Sequence, residues 1–147
     1  MEYAGIGTQL QMGDGASPEV FTTIAQVGDI AFGPVTANTY PTTTHDNTLG
    51  GYDDFIAGLK KGGDAVFTLY FDALQATHKD ATGGFLYAFN AGAAKNWRII
   101  LAGYASPVPK WSFVGVPTSM GTFEYKVDGV QVCTGCKITV KGKPTLA

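Results

Sequence analysis

The sequence predicts a mainly β fold: a β-sandwich or barrel-like domain with one flanking α-helix. Twenty glycines and seven prolines are scattered through 147 residues, with threonines dense in the first third. That composition favours short strands joined by turns over long helices. Apolar and polar residues alternate singly in several stretches, which is the period of a half-buried strand. Between two such stretches stands Asp128-Gly129, a strong hairpin signal. The length fits a single domain, 1–147, with one hydrophobic core.

Taken in order, the chain opens with a stretch that a self-contained domain explains poorly. Met1 to Pro18 reads as an N-terminal arm, with Gly5-Ile6-Gly7 and Gly13-Asp14-Gly15 as hinges or tight turns. Phe32 to Gly63 is a second such stretch, and about 40–63 reads as an extended inter-subunit loop, since long irregular segments in a compact domain are usually functional or mobile. Ile6, Leu10, Tyr52, Phe55, Ile56 and Leu59 in these stretches would be costly to leave in water. They are the candidate contacts with neighbouring copies of the chain, and packing back onto the same domain is the competing reading.

Asp64 to Asp72 is the clearest strand, with Phe67, Leu69 and Phe71 on the core face. The helix is expected over Asp80 to Ala91, capped by Asp80 or Thr82, with Phe85 and Phe89 one turn apart on one stripe. Lys95 to Tyr104 is a strand apolar on both faces, with Trp97, Ile99 and Leu101 opposite Ile100 and Ala102, so it belongs in the interior of a sheet. Trp111 to Val116 and Thr122 to Val127 follow as strands, and the return from the hairpin runs from Val130 to about Lys141. In that last strand Val130, Val132, Cys136, Ile138 and Val140 share the core face, and Cys133 points away.

Residue chemistry argues against an enzyme. There is no GxSxG, only two histidines, and no pair of placed carboxylates. The Gly-rich opening has no strand, helix or Lys-Ser/Thr pair around it and does not form a phosphate-binding loop. Asp53-Asp54 in a Gly-rich loop reads as a solvated pair. Cys133-Thr134-Gly135-Cys136 is a CxxC, but zinc needs four converging ligands, and His45 and His78 each stand alone. Two free thiols in a reducing compartment are the favoured reading; a bulge at Gly135 would instead bring the sulfurs together. No catalytic residue, metal site or cofactor is expected.

Net charge is −2, which disfavours tight binding to phosphate backbones. The aromatic residues do not alternate with basic ones as in a single-strand stacking platform. Charge is polarised along the chain. Residues 1 to 59 hold seven acids and no Lys or Arg, whereas from Lys110 onward five lysines face two acids. This suits head-to-tail association of identical copies, and folding that mixes the two halves is equally compatible. No apolar run reaches the roughly 20 residues of a membrane-spanning helix, and a soluble protein made in a cytoplasm is expected.

The order of GTQLQMGDG (7–15), FTTIAQVGDIAFGP (21–34), THDNT (44–48), FIAGLKKGGDAVFTLYFD (55–72) and GVPTSMGTFEYKVDGVQVCTGCKITVKGKPTL (115–146) resembles the tail tube proteins of long-tailed phages, the non-contractile siphovirus type above all. The resemblance covers nearly the whole chain. It implies six copies closing into a ring, and rings stacking into a hollow tail tube that serves as the conduit for genome delivery into the bacterial host. It implies as partners the chain itself, a tape-measure protein, and tail-tip and tail-terminator proteins, with DNA passing through the lumen without specific binding and no membrane contact. It also implies that the loop near Tyr40 to Leu59 and the arm Met1 to Gly15 connect subunits. The location would be the virion tail, assembled in the host cytoplasm. The CxxC and the closely spaced Pro107, Pro109 and Pro117 depart from the family pattern, and prolines confine their region to edge or bulge geometry. A β-sandwich binding module, a phage decoration or host-attachment domain, is the alternative from another class.

Overall fold

The computed structural model describes residues 1–45 and 50–147. The THDNT stretch therefore lies mostly outside the described residues. The fold is mainly β, as expected. In chain order the elements are β1 (Gln9–Gly13), β2 (Phe21–Thr23), β3 (Val27–Gly33), β4 (Thr36–Pro41), β5 (Phe55–Lys61), β6 (Asp64–Leu69), α1 (Phe85–Ala91), β7 (Lys95–Ile100), β8 (Lys110–Ser119), β9 (Thr122–Tyr125) and β10 (Gln131–Leu146).

Eight strands form one antiparallel sheet in the order β2-β1-β7-β8-β10-β6-β3, with β9 paired to β10. β10 serves three neighbours: residues 131–134 pair with β9, positions from Cys133 to Thr139 with β6, and positions from Lys137 to Leu146 with β8. The sheet curls until distant strands meet. Phe32 on β3 places its ring 5.2 Å from Trp111 and 5.1 Å from Phe113 on β8. Within the curl lie Leu10, Phe67, Leu69, Trp97, Ile99, Phe113 and Ile138, all buried.

The helix α1 is part of this core. Phe85 meets Phe67 edge-on at 5.2 Å and Trp97 at 6.0 Å, the arrangement favoured by aromatic quadrupoles. The indole Nε1 of Trp97 donates to the Gly115 carbonyl at 3.0 Å, so its one polar atom is satisfied despite complete burial.

Several expectations about element boundaries are corrected. The helix begins at Phe85, with Gly84 at its N-cap position and no side-chain cap, because Gly83-Gly84 interrupts the expected first turn; Asp80 and Thr82 do not cap it. β6 ends at Leu69 and β7 at Ile100, whereas β10 continues past Lys141 to Leu146. β7 lies between β1 and β8, the interior position expected for the Trp97 strand. Pro117 stands at a register shift between β8 and β10, the bulge that its missing N–H requires.

Two larger corrections concern the stretches read as arm and loop. The 1–18 arm contains β1, whose alternation was hidden by flanking glycines, so only the residues before Gln9 precede the sheet. The stretch from Phe32 to Gly63 is not irregular: it holds the end of β3 and an antiparallel pair, β4 with β5.

Candidate assembly interface

β4 and β5 form a two-stranded sheet of their own. Thr36 lies opposite Lys61 at the root of this ribbon and Pro41 opposite Phe55 toward its tip. Val140 N donates to Gly63 O at 3.0 Å, tying the root to β10. Toward the tip, Asp54 N donates to Thr43 Oγ1 at 2.7 Å and Thr42 N to Asp54 O at 2.9 Å, so the ribbon extends beyond its last ladder pair with defined geometry.

The ribbon is apolar and uncovered. Every residue of β5 except Gly58 is exposed, including Phe55 at 60%, Ile56 at 58% and Leu59 at 76%. Tyr52, just before β5, is 77% exposed. Covering a large apolar side chain is worth about 1.5–3 kcal/mol, and an isolated two-stranded ribbon is marginally stable in water. At Gly58 the Tyr40 ring of the neighbouring strand lies across the face where a Cβ would stand.

The arm contributes differently. Ile6 is 89% exposed, and Tyr3 stacks on Tyr104 with ring centroids 4.0 Å apart, which holds the first residues against the loop after β7. Leu10, expected at the interface, is fully buried. It sits on β1 opposite Ile99 and faces the core, because a strand buried on one face turns alternate residues inward. The structure thus brings Tyr52, Phe55, Ile56 and Leu59 together on the ribbon, leaves Ile6 apart on the arm, and removes Leu10 from the set.

After β1 the chain is clamped by two acids. Asp14 Oδ1 accepts from Ala16 N at 2.9 Å and Val20 N at 3.1 Å, and these backbone donors hold its carboxyl below the usual carboxylate range. Glu19 accepts from Gly15 N at 2.9 Å and from Asn96 Nδ2 at 2.8 Å, linking this turn to β7.

His78, Cys133 and Cys136 all lie inside the fold. His78 is fully buried; its Nδ1 accepts from Asp72 N at 3.0 Å and its Nε2–H donates to the Ala25 carbonyl. It joins the loop after β6 to the turn before β3. Cys133, expected to point outward, is buried with Cys136. A register shift between them, with Gly135 at φ 83°, turns both side chains inward, and both thiols face the Met120 carbonyl. Burial pushes both thiols up from their ordinary value, so neither is a ready nucleophile at neutral pH. Among the described residues no three His, Cys, Asp or Glu side chains converge as a metal-binding group, and no helix is long and apolar enough to cross a membrane.

No protein-family model matches the chain, and no curated protein does at the sequence level. Solved structures do share its fold. A chain in the cryo-EM structure of an extracellular contractile injection system, the PVC sheath/tube terminator in the extended state, superposes with a TM-score of 0.72 at 11% identity, covering 100% of this chain and 97% of that one. A chain in the cryo-EM structure of the anti-feeding prophage baseplate superposes with a TM-score of 0.60 at 10% identity, again covering 100% of this chain and 97% of that one. At such identities the shared property is the fold, and it extends over the entire length.

Proposed function

We propose that this chain is a structural, non-enzymatic tail protein whose copies close into six-membered rings and stack head to tail into a hollow tube, the conduit for genome delivery into a bacterial host. The observation that carries the reading is the β4–β5 ribbon, which leaves Phe55, Ile56 and Leu59 in water. An ordered strand pair with apolar side chains on offer is an interface awaiting a partner. A contact between different surfaces of identical copies is heterologous and produces rings or filaments.

The full-length likeness to chains of injection-system assemblies supports a place in a tail-like machine. The first of these assemblies is described as contractile, so the likeness does not favour the non-contractile type. The partners proposed with the tube are a tape-measure protein and tail-tip and terminator proteins. DNA passes through the lumen without specific binding, in keeping with the net charge of −2, and the protein resides in the virion tail.

A concentration series of the purified protein, followed by light scattering and negative-stain electron microscopy, tests this. Rings or tubes of uniform width are expected. A chain that remains monomeric at every concentration, alone or with a tail-tip complex added as initiator, contradicts it.

A further inference from the structure

At the root of the ribbon, where β5 meets β10, lies a groove of about 560 Å³ floored by Val35, Trp111 and Pro144 and bordered by Lys60, Lys61 and Lys143. The three lysines are exposed, and none takes part in the ion pairs found among the described residues. The groove therefore combines an apolar floor with a rim of lysines that have no ion-pair partner among the described residues. At the other end of the same ribbon stands the sequence Tyr52-Asp53-Asp54-Phe55, two exposed acids between two exposed aromatic residues. The tip carries what the groove lacks: rings for the floor and carboxylates for the rim.

We infer that the Tyr52–Phe55 tip of one copy docks in the lysine-rimmed groove of a second copy. This rests on the self-assembly reading above and specifies its contact. The tip cannot fill the groove of its own chain. Asp54 and Lys60 are six residues apart along an extended ribbon, and at about 3.3 Å per residue the two sites are separated by roughly 20 Å. The joint is consequently head to tail, each copy offering one tip and one groove, and it repeats until a ring closes or a filament grows. Opposite charges then meet across the joint, Asp53 and Asp54 of the tip against Lys60, Lys61 and Lys143 of the groove.

Charge reversal of the full-length protein tests the joint. D53K/D54K makes the tip positive, and K60E/K61E/K143E makes the groove negative. Circular dichroism and thermal melting first establish that each variant is folded. Each variant alone should need at least about tenfold more protein to assemble than the wild type, because attraction becomes repulsion at every joint. An equimolar mixture should assemble like the wild type, since every tip then finds a groove of opposite sign. Wild-type assembly should also weaken toward about 1 M salt, where the Debye length is about 3 Å. A wild type that assembles while either variant alone assembles equally well, or while the mixture fails, overturns the docking and leaves self-assembly standing. A wild type that never assembles overturns both. Should a variant not fold, wild-type assembly indifferent to salt overturns the docking.

Discussion

The Sγ atoms of Cys133 and Cys136 lie 3.4 Å apart inside the core, although residues three apart on a regular strand face opposite ways. The register shift between them, with Gly135 in a left-handed backbone conformation, reverses the alternation once. The pair contributes packing around the Met120 carbonyl. Because folding raises both thiol pKa values, the stabilisation they give is complete below the ordinary thiol value. It is lost as pH rises through that value toward the raised ones.

With Ellman's reagent at neutral pH, the native protein should show negligible thiol reactivity, and both thiols should react once it is unfolded in denaturant. Rapid stoichiometric labelling of the native protein would contradict the burial.

Gly135→Ala places a Cβ on a left-handed residue, which costs roughly 1–2 kcal/mol. Denaturant unfolding should show a loss of that size. Unchanged stability would mean that the bulge does not depend on glycine.

His78 pins two loops through both ring nitrogens. His78→Ala opens a cavity and removes the hydrogen-bond partner of the Asp72 N–H and of the Ala25 carbonyl, each bond worth about 0.5–1.5 kcal/mol. A fall in stability of about 2–5 kcal/mol is expected by denaturant unfolding. A change within 0.5 kcal/mol, the size typical of surface sites, would contradict the role.

Asp14 provides a pH signature. Its carboxyl is held low by the amides of Ala16 and Val20. The order it gives to the turn is present above the ordinary carboxylate value of about 4 and is lost as pH falls through the lowered native one. NMR shifts of these two amides should titrate together, with a midpoint below that of an unperturbed aspartate, and Asp14→Asn should abolish the titration. A midpoint at the ordinary value would contradict the clamp.

Much of the fold was legible in the residues, because single alternation exposes half-buried strands. Phe67 and Leu69, Trp97 and Ile99, and Ile138 all lie in the core, and Asp128-Gly129 lies in the connection between paired strands β9 and β10. Three features were hidden for physical reasons. β1 is five residues long, too short for its period to stand out beside glycines, and so Leu10 looked like an interface residue. The β4–β5 ribbon has no buried face and thus no alternation, so its strands read as loop. Cys133 was assigned outward and Val130, which is exposed, inward because the alternation set by Cys136, Ile138 and Val140 was carried back across a bulge that inverts it. Tyr52, Phe55, Ile56 and Leu59 stood out in the sequence as too apolar for a solvated loop, and in the fold they are exposed on the ribbon and just before it.

If the ribbon is an assembly surface and not part of the core, its apolar side chains are needed for assembly and not for folding. The most direct measurement compares the wild type with I56S/L59S by light scattering and negative-stain electron microscopy at matched concentrations, with thermal melting alongside. Rings or tubes are expected from the wild type only, with nearly equal melting temperatures for both. Assembly by the variant as readily as by the wild type, or an unfolded variant, would contradict it.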